Sequence, residues 1–257
     1  MENLFLKNKN ALVTGAGTGI GRAIAKRLAA EGALTAVHYS KSKKEAENVV
    51  AEIGQAGGEA FTVQADVRSV AAIQEMMSQL IQEFANRTDD ARLDILVNNA
   101  GVPSISNSIE ETTEAEFDNL FAVNTKGLFF VTQAALKYIP KGGHIINISS
   151  LTTRGASPAR AAYAASKAAV NSLSLSMAKD LGEKKISVNA ILPGFTETNL
   201  TKELVENEEI KKSLVATTAF GRVGQPEDIA NAVALFLSPD AGWITGQVID
   251  VNGGAKL

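Results

Sequence analysis

The sequence predicts an α/β fold in which helices cover both faces of a parallel sheet of about seven strands. Short apolar runs typical of buried strands alternate with longer amphipathic runs typical of helices along the whole chain. The apolar runs are nearly continuous rather than alternating, as in parallel strands that are buried on both faces. No linker, internal repeat or low-complexity segment divides the 257 residues, so a single domain over residues 1–257 is expected.

The strands are predicted from short apolar runs that end in glycine or polar residues. The first run, ALVT, precedes a glycine-rich turn, and GHIINIS and LDILVN have the same buried character. The predicted strands are residues 11–14, 34–39, 60–64, 93–98, 143–149, 186–192 and 247–251.

The helices are predicted from apolar residues that recur every three or four positions. In residues 43–56 the apolar positions Ala46, Val49, Val50 and Ile53 share one face. The last helix begins at a proline, which is a favoured residue in the first helical turn. The predicted helices are residues 19–32, 43–56, 70–84, 113–139, 163–181 and 226–237.

Two regions interrupt the alternation of strand and helix. Residues 86–92, NRTDDAR, predict a polar loop. Residues 195–220 are charged and rich in threonine, and contain no clear strand. An irregular segment near the carboxyl ends of strands is typical of a substrate lid, so residues 195–220 are predicted to form one.

Composition excludes several classes of function. The net charge is −3 and the pI is about 5.6, which predicts neither a nucleic-acid partner nor an anionic membrane partner. No cysteine and only two histidines are present, so no metal site is expected. The N-terminus lacks the pattern of a signal peptide, and no uncharged apolar stretch is long enough to span a membrane. A cytoplasmic location is therefore expected.

The segment TGAGTGIG, residues 14–21, follows the first predicted strand and opens the first predicted helix. Helix N-termini bind anions, and glycines let the backbone approach a pyrophosphate closely. The spacing is T-G-x-x-x-G-x-G rather than G-x-G-x-x-G. A tight strand-to-helix connection is the alternative to a dinucleotide site. The predicted cofactor-binding residues of this loop are Gly15, Thr18, Gly19, Ile20 and Gly21.

The end of the second predicted strand bears on the choice of coenzyme. An acidic residue at this point would bind the ribose hydroxyls of NAD, but the sequence HYSKSKK has no carboxylate. Ser40, Lys41 and Lys43 instead suit a 2′-phosphate, which favours NADP(H) over NAD(H). Tyr39, where the acid is absent, is also a predicted coenzyme-binding position. Asp66, after the third strand, could accept a hydrogen bond from the adenine amino group or cap the following helix.

The stretch YAASK places Tyr163 and Lys167 four residues apart on a predicted helix, so that both side chains share a face. A nearby ammonium favours the phenolate and lowers the pKa of a tyrosine, which suits proton transfer. Taken alone, such a pair is most often two surface neighbours.

A set of short motifs recurs along the chain in a fixed order. Together they resemble the short-chain dehydrogenase/reductases over nearly the full length, and most closely the 3-oxoacyl-acyl-carrier-protein reductase and glucose-dehydrogenase type. The resemblance implies a Rossmann-like, doubly wound fold. The motifs are TGAGTGIG, ADV at 65–67, NNAG at 98–101, Asn124 in AVNTKG, INISS at 146–150, YAASK, PGFTET at 193–198 and NGG at 252–254.

The resemblance also implies a role for individual residues. Tyr163 exchanges a proton with the substrate oxygen, Ser150 hydrogen-bonds that oxygen, and Lys167 holds the nicotinamide ribose. Asn124 orders a water in a proton relay. Ser150 is preferred to Ser149 because the family's catalytic serine lies thirteen residues before the tyrosine. The further coenzyme contacts implied are Asp66, Val67, Asn98, Ala100, Gly101, Pro193, Gly194, Thr196 and Thr198.

The predicted function is an NADPH-dependent reductase that transfers a hydride to a ketone or 3-oxoacyl thioester, with Tyr163 as acid/base. An NAD-linked alcohol or sugar dehydrogenase uses the same residues and is the alternative. A dinucleotide-binding sensor without catalysis is a third interpretation, against which the intact catalytic set argues.

The helix that begins at Tyr163 is apolar around most of its circumference. Helices of this kind are usually buried on both sides. One side can face the sheet, and the other is expected to face the same helix of a second subunit. Since members of the family are commonly tetramers, a homotetramer is predicted.

Overall fold

A computed structural model describes residues 4–199, 201 and 206–255. Within these residues seven strands form one parallel sheet in the order β3-β2-β1-β4-β5-β6-β7, which confirms the predicted sheet. The direction of strand addition reverses between β1 and β4, and ligands of such sheets bind at this point. The strands are β1 Asn10–Val13, β2 Leu34–Tyr39, β3 Ala60–Gln64, β4 Ile95–Asn98, β5 His144–Ile148, β6 Ser187–Pro193 and β7 Val248–Val251.

Helices lie on both faces of the sheet, as the doubly wound prediction requires. Side chains alternate along β1, so that Ala11 and Val13 join one core while Leu12 joins the other. The first core contains α1, α2 and α8, and the second contains α3, α5 and α6. The helices are α1 Gly19–Ala30, α2 Lys43–Gln55, α3 Val70–Thr88, α4 Glu114–Phe121, α5 Leu128–Ala135, α6 Ala161–Leu181, α7 Glu208–Ala216 and α8 Pro226–Leu237.

Helix α3 extends beyond its predicted end and includes the beginning of the predicted polar loop 86–92. Arg87 accounts for the extra turn, because its Nε donates to Glu83 at 3.1 Å and its guanidinium lies 5.0 Å from the centre of the Phe61 ring. The helix ends where Asp89 adopts a left-handed conformation with φ of 53°.

The predicted helix 113–139 is interrupted by a π-helical turn, Ala122–Gly127, between α4 and α5. Side chains in this turn bond to neighbouring segments. Asn124 bonds to the backbone of Val102, and Thr125 Oγ1 donates to the carbonyl of Ser166 at 3.0 Å. Wider turns of this kind are often found at functional sites, and this one carries Asn124.

The predicted lid, residues 195–220, contains helix α7, whose first turn is capped by the side chain of Asn207. Residues 200 and 202–205 of this segment lie outside the described residues. The lid and the extent of a single domain both stay predictions. Among the described residues, no helix is long and apolar enough to cross a membrane.

Candidate active site

The glycine loop packs directly on the segment that follows β4. Gly15 has φ of +63°, a conformation that favours glycine, and a Cβ there would lie 2.9 Å from Ala100 Cα. A Cβ on Gly21 would overlap Asn99 Nδ2 and the carbonyl of Gly15. The loop therefore needs glycines at both positions to keep its backbone N–H groups close to the cleft between β1 and β4.

Asn99 and Thr14 hold this loop in place. Asn99 Nδ2 donates to the carbonyls of Thr14 and Gly15 at 2.9 and 3.0 Å. Thr14 Oγ1 accepts from the backbone N–H groups of Asn99 and Ala100, both at 2.9 Å. The sequence motifs include both residues, but their mutual hydrogen bonds connect positions 85 residues apart and only the structure shows them.

The predicted adenine end lies after β3, beside the end of β2. Asp66 is paired with Arg68, whose Nε donates to Asp66 Oδ1 at 2.9 Å. The hydrogen bond from Arg68 is the main reason why the pKa of Asp66 lies below its usual value, and the positive charge of Lys41 adds to this effect. Val67 is buried and packs on Gly127, where a Cβ would lie 2.9 Å from Val67 Cγ2.

The segment after β6 lies against the other end of the glycine loop. A Cβ on Gly19 would lie 3.3 Å from Thr198 Cγ2, and one on Gly194 would lie 2.7 Å from Asn252 Cα. Thr196 is buried, and its Oγ1 donates to the carbonyl of Gly194 at 3.0 Å. A cleft of about 270 Å³ lies beside this contact and is lined by Gly19, by residues 197–199 and by residues 225–227 at the start of α8. Thr18, exposed at the N-cap of α1, and Ile20, packed on the core of α1, complete the loop.

Lys167 is an ammonium in the interior. It is 4% exposed, and its Nζ donates to the carbonyl of Ile148 at 2.8 Å. Burial lowers the pKa of Lys167 to about 8, because the cation has lost its water. Ser149 Oγ donates to the carbonyl of Lys167 at 3.0 Å, so the end of β5 is tied to α6 at two places.

Tyr163 begins the same face of α6, one turn before Lys167. Burial raises the pKa of Tyr163, while a hydrogen bond with Ser150 and the charge of Arg160 lower it. The spacing of Tyr163 and Lys167 in the sequence predicts an ammonium that lowers this pKa. In the structure burial has the larger effect, so the phenol keeps its proton at neutral pH.

Ser150 projects from the end of β5 towards Tyr163, and its hydroxyl is oriented by Thr152. Ser150 Oγ accepts from Thr152 Oγ1 at 3.0 Å and from the Thr152 backbone N–H at 3.2 Å. A hydroxyl has two acceptor positions and one hydrogen. Since Thr152 fills the acceptor positions, the hydrogen of Ser150 remains to donate to the phenol or to a substrate oxygen.

Asn124 is buried, and its amide joins three segments. Its Oδ1 accepts from the Val102 N–H at 2.8 Å, and its Nδ2 donates to the Val102 carbonyl and to Ser166 Oγ, both at 3.1 Å. Ser166 Oγ in turn donates to the carbonyl of Tyr163 at 2.8 Å. Ser166 therefore links Asn124 to the helix that carries Tyr163.

Gly101 shows that two of the candidate catalytic residues converge. A Cβ built on Gly101 would lie 3.2 Å from Asn124 Oδ1 and 3.3 Å from Lys167 Nζ. Asn98, predicted to line the cleft, instead donates to Thr132 Oγ1 and Asn147 Oδ1 in the interior, each at 2.9 Å. Asn98 therefore fastens β4 to β5 and α5 beneath the cleft.

Fold and cleft together define a dinucleotide-binding oxidoreductase, and comparison with known proteins agrees. A family model described as enoyl-(acyl carrier protein) reductase matches residues 15–256. The versicolorin reductase of Emericella nidulans is 39% identical, over 99% of this chain and 98% of its own. The hydroxynaphthalene reductase-like protein Arp2 of Metarhizium anisopliae is 39% identical, over 97% of this chain and 96% of its own.

Solved structures agree as well. The crystal structure of the angucycline C-6 ketoreductase LanV with bound NADP is 43% identical and covers 97% of this chain and 96% of its own, with a TM-score of 0.92. The chain belongs to the short-chain dehydrogenase/reductase family. It is an NAD(P)-dependent oxidoreductase that acts on a carbonyl or on the corresponding alcohol, which confirms the predicted class of enzyme.

Proposed function

We propose that this enzyme is an NADPH-dependent ketoreductase whose substrates are ketones on fused aromatic rings. The observation that supports reduction is the protonated, half-buried phenol of Tyr163 beside a Ser150 hydroxyl that is oriented to donate. The relatives support the substrate class, because their names refer to versicolorin and hydroxynaphthalene, and LanV has also been crystallised with NADP and rabelomycin.

The glycine loop fits a bound dinucleotide, because it opens α1, whose N-terminal backbone N–H groups can hold a pyrophosphate, and because its glycines let it pack against Ala100 and Thr198. The resemblance implies that the pyrophosphate lies on this loop, the adenine beside Asp66 and Val67, and the nicotinamide at the segment 193–198. The bound coenzyme supplies the hydride that reaches the carbonyl carbon.

The protein's own side chains supply the proton and stabilise the negative charges that develop on the carbonyl oxygen and on the phenol oxygen. Ser150 donates a hydrogen bond to the carbonyl oxygen, which stabilises the charge that develops there. Tyr163 gives its proton to that oxygen, so the C=O group becomes CH–OH. The ammonium of Lys167, on the same face of α6, stabilises the phenolate that remains until solvent restores the proton. Asn124 fixes α6 through Ser166 and holds the backbone at Val102.

Replacing Tyr163 tests this assignment. Tyr163→Phe keeps the ring and removes the acid, so turnover should fall by about 10²- to 10⁴-fold. NADPH affinity, measured by fluorescence titration, should stay close to that of the wild type. Turnover close to the wild-type value with an aromatic ketone would contradict the mechanism.

The preference for NADPH follows from the end of β2. No carboxylate stands at Tyr39, Lys41 is exposed, and the N-terminal turn of α2 reaches the loop, with Ala46 N 3.4 Å from the position of a Cβ on Gly17. A 2′-phosphate there meets a lysine and a helix N-terminus. The Kd for NADPH should therefore be well below that for NADH.

Lys41→Gln should raise the Kd for NADPH about tenfold and leave the Kd for NADH unchanged. Lys44→Gln, at another exposed lysine of the same segment, is the matched control and should change neither value. Tighter binding of NADH than of NADPH by the wild type would overturn the coenzyme assignment.

The substrate class is tested by following NADPH oxidation with bicyclic aromatic ketones and with acetoacetyl thioesters. We expect higher kcat/KM for the aromatic ketones. A preference for the thioester would instead favour the 3-oxoacyl type of reductase that the sequence also resembles.

A homotetramer is part of the proposal. Helix α6 turns Ser166, Lys167 and Ser174 inward, while Leu175 on its outer side is 51% exposed. Phe117 on the neighbouring α4 is 45% exposed. An outer face with large apolar residues is typical of a subunit interface. Light scattering should give four times the chain mass, and Leu175→Glu should lower it.

A further inference from the structure

His38 lies on β2, away from the candidate catalytic group, and its ring connects two loops. The side chain is 1% exposed. Its Nδ1 accepts from the backbone N–H of Gly15 at 3.0 Å, and its Nε2 lies 3.1 Å from the carbonyl of Ala65.

These two partners determine the state of the ring. The Gly15 N–H can only donate, so Nδ1 carries no hydrogen, and the Ala65 carbonyl can only accept, so Nε2 carries one. The imidazole is therefore neutral. Burial agrees with this, since it lowers the pKa of His38 to about 4, although the Ala65 carbonyl and the charge of Asp66 act in the opposite direction.

The two loops are the two ends of the coenzyme site proposed above. Gly15 opens the glycine loop in a left-handed conformation, and Ala65 immediately precedes Asp66. The backbone of β2 supports the same connection, because the carbonyl of His38 accepts from Ala16 N at 2.8 Å and that of Tyr39 accepts from Ala65 N at 3.1 Å.

We propose that His38 is a positioning residue of the coenzyme site, whose neutral ring holds the pyrophosphate loop and the adenine loop in one fixed arrangement. The proposal rests on the proposed binding of NADPH. The His38 ring would then set the distance between the glycine loop and the segment at Ala65, which contact opposite ends of the coenzyme. Loss of the ring's hydrogen bonds should therefore weaken coenzyme binding and leave the chemical step intact.

The first experiment compares coenzyme affinity in matched variants. His38→Phe keeps a planar ring and removes both hydrogen bonds, and we expect the Kd for NADPH to rise about tenfold. His38→Asn retains an acceptor near the position of Nδ1 and should recover part of this loss. His144→Phe is the control. His144 is the other histidine, lies at the amino-terminal end of β5 and bonds to Ser187 Oγ.

The readouts separate positioning from packing. At saturating NADPH, kcat and the KM for the ketone should be unchanged in His38→Phe, whereas a general loss of structure would lower kcat and the thermal midpoint together. An unchanged Kd for NADPH in a folded His38→Phe protein would overturn the proposal. A wild type that binds no NADPH would instead refute the proposed function.

A second measurement needs no variant. Nitrogen-15 NMR of the free wild-type protein should show His38 as the neutral tautomer with hydrogen on Nε2, at neutral pH and down to about pH 5. A protonated ring, or hydrogen on Nδ1, would contradict the assignment even if the variants failed to fold.

Discussion

The catalytic side of the candidate active site and the loop after β4, residues 99–113, are constructed in opposite ways. On the catalytic side, Asn124, Ser166 and Lys167 are almost completely buried, and each bonds to backbone or to another buried side chain. On the loop after β4, Ile105 and Ile109 are 83% and 73% exposed. Proton transfer needs a fixed geometry, so its residues are held by the interior. The exposed isoleucines are the side chains that we propose to contact the substrate.

This difference has a cost in stability, because the catalytic side buries a cation. The pKa of Lys167 is lowered from 10.5 to about 8 by burial, so keeping the ammonium charged at pH 7 costs roughly 3 kcal/mol. Because the folded pKa of Lys167 lies below its unfolded value, the buried charge destabilises the protein fully below about pH 8. This cost disappears as the pH rises towards 10.5.

Lys167→Met should therefore have the largest effect of these variants, because it should lower turnover and raise thermal stability. Turnover should fall by at least about 10²-fold, because the phenolate of Tyr163 loses its stabilising charge. The thermal midpoint of the free protein should rise, by about 2–4 °C for each kcal/mol recovered. Lys137→Met, at an exposed lysine, is the control and should change neither quantity. A lower midpoint for Lys167→Met would show that its bond to Ile148 outweighs the burial of charge.

The coenzyme side contains its own buried titratable group. The folded pKa of His38 is about 4, below the unfolded value of 6.5, so between these values the unfolded chain binds the additional proton. Stability from this group is complete above about pH 6.5 and is lost as the pH falls towards 4, a change of roughly 3 kcal/mol.

Urea unfolding at pH 7 and pH 5 measures this dependence. His38→Asn cannot titrate, so it should lose less stability than the wild type over this interval, by about 2 kcal/mol. Acidic groups such as Asp66 are common to both proteins and cancel in the comparison. Equal losses in the two proteins would mean that His38 does not remain neutral in the folded state.

The orientation of Ser150 is a smaller effect on the catalytic side. Thr152→Val removes one donor to Ser150 Oγ and lets its hydrogen turn away from the substrate oxygen, so kcat/KM should fall about tenfold. Thr152→Ser keeps the donor and should restore activity. Because the hydrogen bond with Ser150 lowers the pKa of Tyr163, the apparent pKa in the pH profile should rise in Thr152→Val alone. Equal kcat/KM in the Val and Ser variants would remove Thr152 from the mechanism.

The sequence predicts the fold because strand and helix periodicity are local. It predicts Tyr163 and Lys167 because the ordered set of motifs resembles the family, since a spacing of four residues alone would most often mean two surface neighbours. It does not predict what holds them. The π-helical turn at Asn124 adds a residue to a helical turn without changing the apolar pattern, and the bond from Asn124 to Ser166 joins positions 42 residues apart. His38 likewise shows only a strand position until the folded chain places Gly15 and Ala65 against its ring.

The loop after β4 is ordered even though its isoleucines are exposed. Glu116, in the first turn of α4, accepts hydrogen bonds from the backbone N–H groups of Ile105 and Ser106 at 2.9 and 3.2 Å, and from the hydroxyls of Ser104 and Ser106. These hydrogen bonds lower the pKa of Glu116 to about 2, and the bond from the Ser106 hydroxyl has the largest effect. Because the loop is already ordered, binding of a substrate to its exposed apolar side chains would cost little further conformational entropy.

Ile105 provides the finest test of the comparison. If the loop selects the substrate through apolar contact, Ile105→Val should raise the KM for a bicyclic aromatic ketone about fourfold, since it removes one methylene and roughly 0.8 kcal/mol is lost per buried methylene. The kcat and the Kd for NADPH should not change, because the hydrogen bonds that hold Asn124 and Lys167 do not involve Ile105. Leu235→Ala, at a 65% exposed leucine of α8, is the matched control. A fall in kcat with unchanged KM would mean that the two sides are coupled.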